Sequence, residues 1–125
     1  MIEITQNPIL PEAIINKVRK DAYGAVVAFV GMVRGYSDDK KVLSLEFKAD
    51  EGTPQKLRQI VEEIEARWQL HDVAICHRFG QLKVGETTLV IAVGAPHRKE
   101  AFEACQYAID CIKEREPLLM KEVVE

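Results

Sequence analysis

Three cysteines in 125 residues, Cys76, Cys105 and Cys111, are too few and too irregularly spaced for a disulfide framework, and no CxxC pair is present to hold zinc. Each falls in an apolar stretch and is expected to be a small buried hydrophobe. A basic surplus is missing too. With 17 Lys and Arg against 20 Asp and Glu the formal net charge is -3, so no excess exists to neutralise a nucleic-acid backbone, and nucleic acid is excluded as a general partner. No apolar run approaches the roughly 20 residues of a membrane-spanning helix, and Met1-Ile2-Glu3-Ile4-Thr5 lacks a basic segment leading into an apolar one. No membrane association and a cytoplasmic location are therefore expected. Repeats and low-complexity tracts are absent. What is present, 47% apolar and 30% charged residues, is ordinary for a globular protein, and the length suits a single domain spanning 1–125.

Alternation and helical periodicity divide the chain into strands and helices. Ile2 to Thr5 reads as a short strand. Pro11 suits the first turn of a helix running to Lys20, with Ala13, Ile14 and Val18 on one face. Tyr23 to Arg34 holds the run Ala25-Val26-Val27-Ala28-Phe29-Val30, which predicts a central strand covered on both faces. Tyr36 to Lys41 reads as a mobile polar loop, and Val42 to Ala49 as a strand with one wet face. Thr53 is expected to cap a helix ending near Trp68, with Pro54 in its first turn and Glu62, Glu63 and Glu65 on a solvated face. Val73 to Phe79 and Thr87 to Val93 are two more strands, joined by a loop with Gly80 and Gly85 at its ends, and His77 reads as a hydrogen-bonded strand residue. A last helix covers Arg98 to Glu116, stopped by Pro117, before an extended tail that docks on this domain or on a partner. The order β, α, β, β, α, β, β, α is that of a mixed α+β domain.

The last helix begins against the usual rule. Helix N-termini carry a partial positive charge and favour acids, yet His97, Arg98 and Lys99 precede Glu100. A bound phosphate or carboxylate would relieve that penalty. Arg34, at the end of a strand and between Gly31 and Gly35, is a second candidate for anion contact. Arg98 and Lys113 are fifteen positions apart, about 22 Å along one helix, so one small substrate reaches both only if they do different work or if two chains pair about a twofold axis.

Four blocks go further. Phe29-Val30-Gly31-Met32-Val33-Arg34, His77-Arg78-Phe79-Gly80, Pro96-His97-Arg98-Lys99-Glu100-Ala101-Phe102 and the run Lys113 to Glu122, in this order, resemble the catalytic (large) subunit of molybdopterin synthase across nearly the whole chain. The resemblance implies an α/β-hammerhead fold, a mostly antiparallel sheet packed with three helices. It also implies a homodimer that binds a small ubiquitin-like sulfur-carrier subunit at each end, giving a heterotetramer. The implied reaction moves sulfur from the carrier's C-terminal thiocarboxylate to cyclic pyranopterin monophosphate, forming the molybdopterin dithiolene, with no metal and no redox cofactor in the synthase itself. Carried over, Lys113 is the principal catalytic residue, with Lys121 as a second amine. The substrate site implied comprises Met32, Val33, Arg34, His97, Arg98, Lys113, Met120, Lys121 and Glu122, with His97 and Arg98 supplied by the neighbouring chain.

The chain departs from that family at Met120, where a second lysine is usual in a Pro-x-Trp-Lys pattern, and at Met32, where lysine is frequent. Three readings follow: a working synthase subunit, a non-catalytic paralogue that keeps the carrier-binding groove, or a small domain that binds another phosphorylated metabolite at the His97 helix start.

Overall fold

The computed structural model describes Met1 to Glu125. Its elements are β1 (Ile2–Thr5), α1 (Pro11–Asn16), β2 (Ala25–Met32), β3 (Tyr36–Ser37), β4 (Lys40–Lys48), α2 (Thr53–Trp68), β5 (Asp72–Arg78), β6 (Gly80–Leu82), β7 (Thr87–Ala95), α3 (Arg98–Arg115) and β8 (Leu119–Val124). Two sheets result. The first has the order β1-β5-β7-β2, antiparallel except for the β1–β5 pair. In the second, β4 pairs with β3, β6 and β8, all antiparallel. This is the mostly antiparallel α+β architecture with three helices that the sequence implies.

Strand β7 is the backbone of the core. Leu89, Ile91, Val93 and Ala95 face α2 and α3, whereas Val90 and Ala92 face α1, so its uninterrupted apolar run is buried on both sides. Helix α3 lies close on the sheet because its inner stripe is small: Ala101, Ala104, Cys105 and Ala108 are all buried. All three cysteines are buried and unpaired, as their apolar settings suggest.

Strand β2 is not central. It forms the sheet edge, with β7 as its only neighbour. Its apolar run says nothing about whether both backbone edges are paired. One face is only half covered: α1 stops at Asn16 instead of Lys20 and meets Val26, leaving Val30 and Met32 exposed. The segment after α1 is drawn down to the sheet, where Val18 is buried in the same cluster.

Two short strands replace expected loops, and the extended tail docks on this domain. Tyr36–Ser37 and Lys40–Lys41 pair as a hairpin around Asp38 and Asp39, whose φ values of 49° and 66° make both turn residues left-handed. Gly80–Leu82 joins β4, and the tail becomes β8 along the other edge of β4.

Thr53 does not cap α2. Gly52 holds the cap position, and the buried Thr53 hydroxyl accepts from the Asp50 N–H at 2.9 Å and donates to the Pro117 carbonyl at 2.7 Å, tying the start of α2 to the end of α3. Glu63 also departs from expectation. It receives both terminal nitrogens of Arg115, at 2.7 and 2.9 Å, and the Tyr107 hydroxyl, so it bridges α2 to α3 instead of facing water. Arg115, then Tyr107, hold its carboxyl down to about 2, and Glu63 in turn pushes the Tyr107 hydroxyl up to about 12. Because the folded-state value of Glu63 is depressed, its stabilisation is complete above the ordinary carboxylate range and is lost as pH falls from about 4.5 toward 2. The cluster is partly open to solvent, so about 1 kcal/mol is expected. Melting temperatures of wild type and Glu63→Gln, followed from pH 6 to pH 3, should therefore converge as pH falls; parallel curves would remove Glu63 from acid stability.

Candidate active site

The end of β2 meets the last turn of α3 over the second sheet. At Gly31 a Cβ would lie 2.9 Å from the Thr88 hydroxyl oxygen, so a larger residue would have to displace that side chain, and the pairing with β7 shifts there between Gly31 and Met32. Val33 then turns inward, buried with Val42, Leu45 and Leu82. Its N–H donates to the Glu86 carbonyl at 3.0 Å and its carbonyl accepts from the Gly85 N–H at 2.9 Å. Glu86 is itself held: Arg78 donates to its carboxylate at 2.7 Å and the Lys83 N–H does so at 2.7 Å, while Arg78 Nε reaches the Gln6 carbonyl at 3.1 Å. The residue delivered by this clamp is Arg34, exposed and without an ion pair in the chain.

Lys113 comes from the opposite direction, in the last turn of α3, where the helix dipole favours a cation. Glu116 ends that helix in a left-handed conformation with φ of 48°. Between the two cations lies a cavity of about 780 Å³, lined mainly by apolar side chains, with Phe29, Phe47 and Leu89 among its walls and Met120 at its rim. His77, Thr88 and Glu116 also line it.

Five of the site residues implied by the sequence come together here: Met32, Val33, Arg34, Lys113 and Met120. Others lie apart. His97 and Arg98 are at the far end of α3, with His97 at the cap position and no side-chain hydrogen bond. In β8, Met120 is opposite Phe47 and Glu122 opposite Leu45, so these two share the inner face, but only Met120 reaches the cavity. Lys121 is opposite Glu46, on the outer face.

Sequence reasoning passed over His77 as a site residue. Only 3% exposed, it sits on the same face of β5 as Val73 and Ile75, at the end where that face stops being covered by helix. Its Nδ1 lies 2.9 Å from the Arg78 carbonyl, and since a carbonyl only accepts, Nδ1 carries the proton and Nε2 is the free acceptor. Phe47 stands edge-on to the ring at 4.7 Å. Burial, with Lys113 nearby, pushes the imidazole down to about 4, so the ring is neutral near pH 7. The usable signal in the sequence was its place at a strand end, before Arg78 and Gly80.

Chemically, the cavity offers two cations, a neutral acceptor and mainly apolar walls. It offers no thiol. None of the cysteines lines it, and burial pushes Cys76 and Cys105 up to about 11, far from the thiolate that sulfur relay needs.

Comparison with known proteins gives a consistent picture. The family model for MoaE protein matches residues 4–115. The chain is 47% identical over 124 residues to the molybdopterin synthase catalytic subunit of Bacillus subtilis (strain 168), covering 98% of this chain and 79% of that protein. It is 39% identical over 125 residues to the subunit of the same name from Thermoplasma volcanium, covering 99% and 91%. Among solved structures, molybdopterin synthase from Staphylococcus aureus superposes with a TM-score of 0.92 at 39% identity, over 98% of this chain and 90% of that one. A chain of the complex of subunits 1 and 2 of molybdopterin-converting factor from Helicobacter pylori shares the fold at a TM-score of 0.77 and 21% identity, over 99% and 85%.

Proposed function

The chain belongs to the MoaE protein family, and from that premise we propose that the cavity between Arg34 and Lys113 is where sulfur passes from a carrier's C-terminal thiocarboxylate to cyclic pyranopterin monophosphate. The activity is that of a molybdopterin synthase catalytic subunit, a sulfurtransferase of molybdenum cofactor biosynthesis. The observation that carries the assignment is the convergence of two unpaired cations on an apolar cavity that contains no cysteine. Sulfur therefore arrives already bonded to its donor, which is what a thiocarboxylated partner supplies.

Arg34 holds the substrate's phosphate, bidentately and without changing its charge. Lys113 stabilises the negative charge that grows on the thiocarboxylate carbonyl oxygen as its carbon becomes tetrahedral. The apolar walls admit the carrier's narrow C-terminal tail. Met32, Val33 and Met120 shape the mouth, with Lys121 and Glu122 beside it on the strand that the carrier passes. His97 and Arg98 complete the pterin site of a second copy in a homodimer, because about 22 Å of helix separates Arg98 from Lys113 in one chain. With one small carrier subunit on each copy, the working form is a cytoplasmic heterotetramer. The shared name of relatives at 39 and 47% identity supports a working enzyme over a carrier-binding paralogue.

The decisive experiment supplies purified protein with a thiocarboxylated carrier and cyclic pyranopterin monophosphate. Dithiolene product is expected; carrier binding without product would overturn the assignment. Met120→Lys is informative in the same assay. It places an amine at the cavity rim opposite Phe47, and a rate increase of about tenfold is expected if that amine adds roughly 1.4 kcal/mol of transition-state stabilisation. An unchanged rate would show that Lys113 alone suffices.

A further inference from the structure

The cavity must do more than deliver sulfur. In the sulfur-transfer reading above, on which this inference rests, the thiocarboxylate sulfur first bonds to a carbon of the pterin substrate and an oxygen substituent leaves that carbon. Carrier and substrate are then joined through an acyl–sulfur bond, and water must cut it. That water loses a proton as it adds to the carbonyl, and the cations cannot take it: Arg34 is permanently charged, and a Lys113 that stabilises the oxyanion must keep its own protons.

Three other polar side chains line the cavity. The Thr88 hydroxyl is too weak a base. Glu116 lines the cavity from the end of α3, but it is exposed and no hydrogen bond fixes its carboxylate. His77 differs from both, being buried in the wall with its tautomer set by the Arg78 carbonyl, its ring braced by Phe47, and its Nε2 lone pair without a partner in the chain. We propose that His77 Nε2 accepts the proton of the water that hydrolyses the carrier–substrate thioester.

The step balances. A C–O bond forms between water and the acyl carbon while an O–H bond breaks to Nε2. The C–S bond then breaks with its electron pair going to sulfur, and the proton on Nε2 passes to the resulting thiolate. The net change is thioester plus water to carboxylic acid plus thiol. Burial keeps the ring neutral with Nε2 free to accept, at a cost in basicity, and once protonated the ring gives the proton up readily, so Nε2 relays it from the water to the departing sulfur.

His77→Leu and His77→Gln in the carrier complex, given thiocarboxylated carrier and cyclic pyranopterin monophosphate for a single turnover, test this by intact mass of the carrier. In both variants the carrier–substrate adduct should accumulate, and free carboxylate carrier should appear about 100-fold more slowly than in wild type. Gln keeps a polar side chain that can hold water without taking its proton, so a wild-type melting temperature in that variant separates chemistry from packing. Release at the wild-type rate in either folded variant, or slow turnover with no adduct, overturns the proposal. Wild-type protein that forms neither adduct nor product counts against the sulfur-transfer reading instead.

Discussion

Lys113→Ala should lower dithiolene formation by about 100- to 1000-fold, the usual cost of removing one preorganised group that stabilises a developing oxyanion. Little else should change. Lys113 is exposed and makes no ion pair in the chain, so its removal leaves no buried partner unsatisfied and the melting temperature should hold. Product formed at the wild-type rate would take Lys113 out of the mechanism and leave Arg34 as the sole charged group of the cavity with work to do.

Gly94→Ala should have the largest effect on folding. Gly94 lies in β7, opposite Val26 on one side and Asp72 on the other. A Cβ there would lie 2.0 Å from the Val18 carbonyl oxygen and 2.9 Å from two Tyr23 ring carbons. Neither neighbour moves easily. Val18 is buried against the sheet, and the Tyr23 hydroxyl is bonded to Asp72, which Lys20 also pairs at 2.8 Å. The methyl group must push backbone rather than a flexible side chain, so about 3 kcal/mol or more is expected. In a domain of this size that lowers the melting temperature by about 10 °C in a calorimetric scan. An unshifted transition would show that the Val18 segment can lift off the sheet at no cost.

Long periodic segments were legible in the sequence and short paired ones were not. The stripe Leu57, Ile60, Val61, Ile64 places α2, and Pro117 limits α3, because helical period and backbone chemistry are local properties. Strands β3 and β6 have two and three residues, too few for a period to show. The edge position of β2 escaped for a different reason: hydrophobicity records burial of side chains, whereas edge or centre is decided by which backbones pair. Glu63 read as solvated because its partners, Tyr107 and Arg115, are 44 and 52 positions away. The site divides along the same line. Arg34 and Lys113 were visible as cations at element ends, while His77 became a site residue only when β4 brought Phe47 beside it and the end of β5 was left open.

The paired backbone hydrogen bonds that grip Val33 have a thermodynamic consequence for its neighbour. A guanidinium on a freely moving loop would surrender main-chain freedom on capturing an anion, at about 1–2 kcal/mol for each residue immobilised. Arg34 instead swings from a pivot that is already stationary. Only its side-chain rotamers remain to be restricted, at about 2 kcal/mol, so affinity at this position should be largely insensitive to the length and composition of the hairpin that follows.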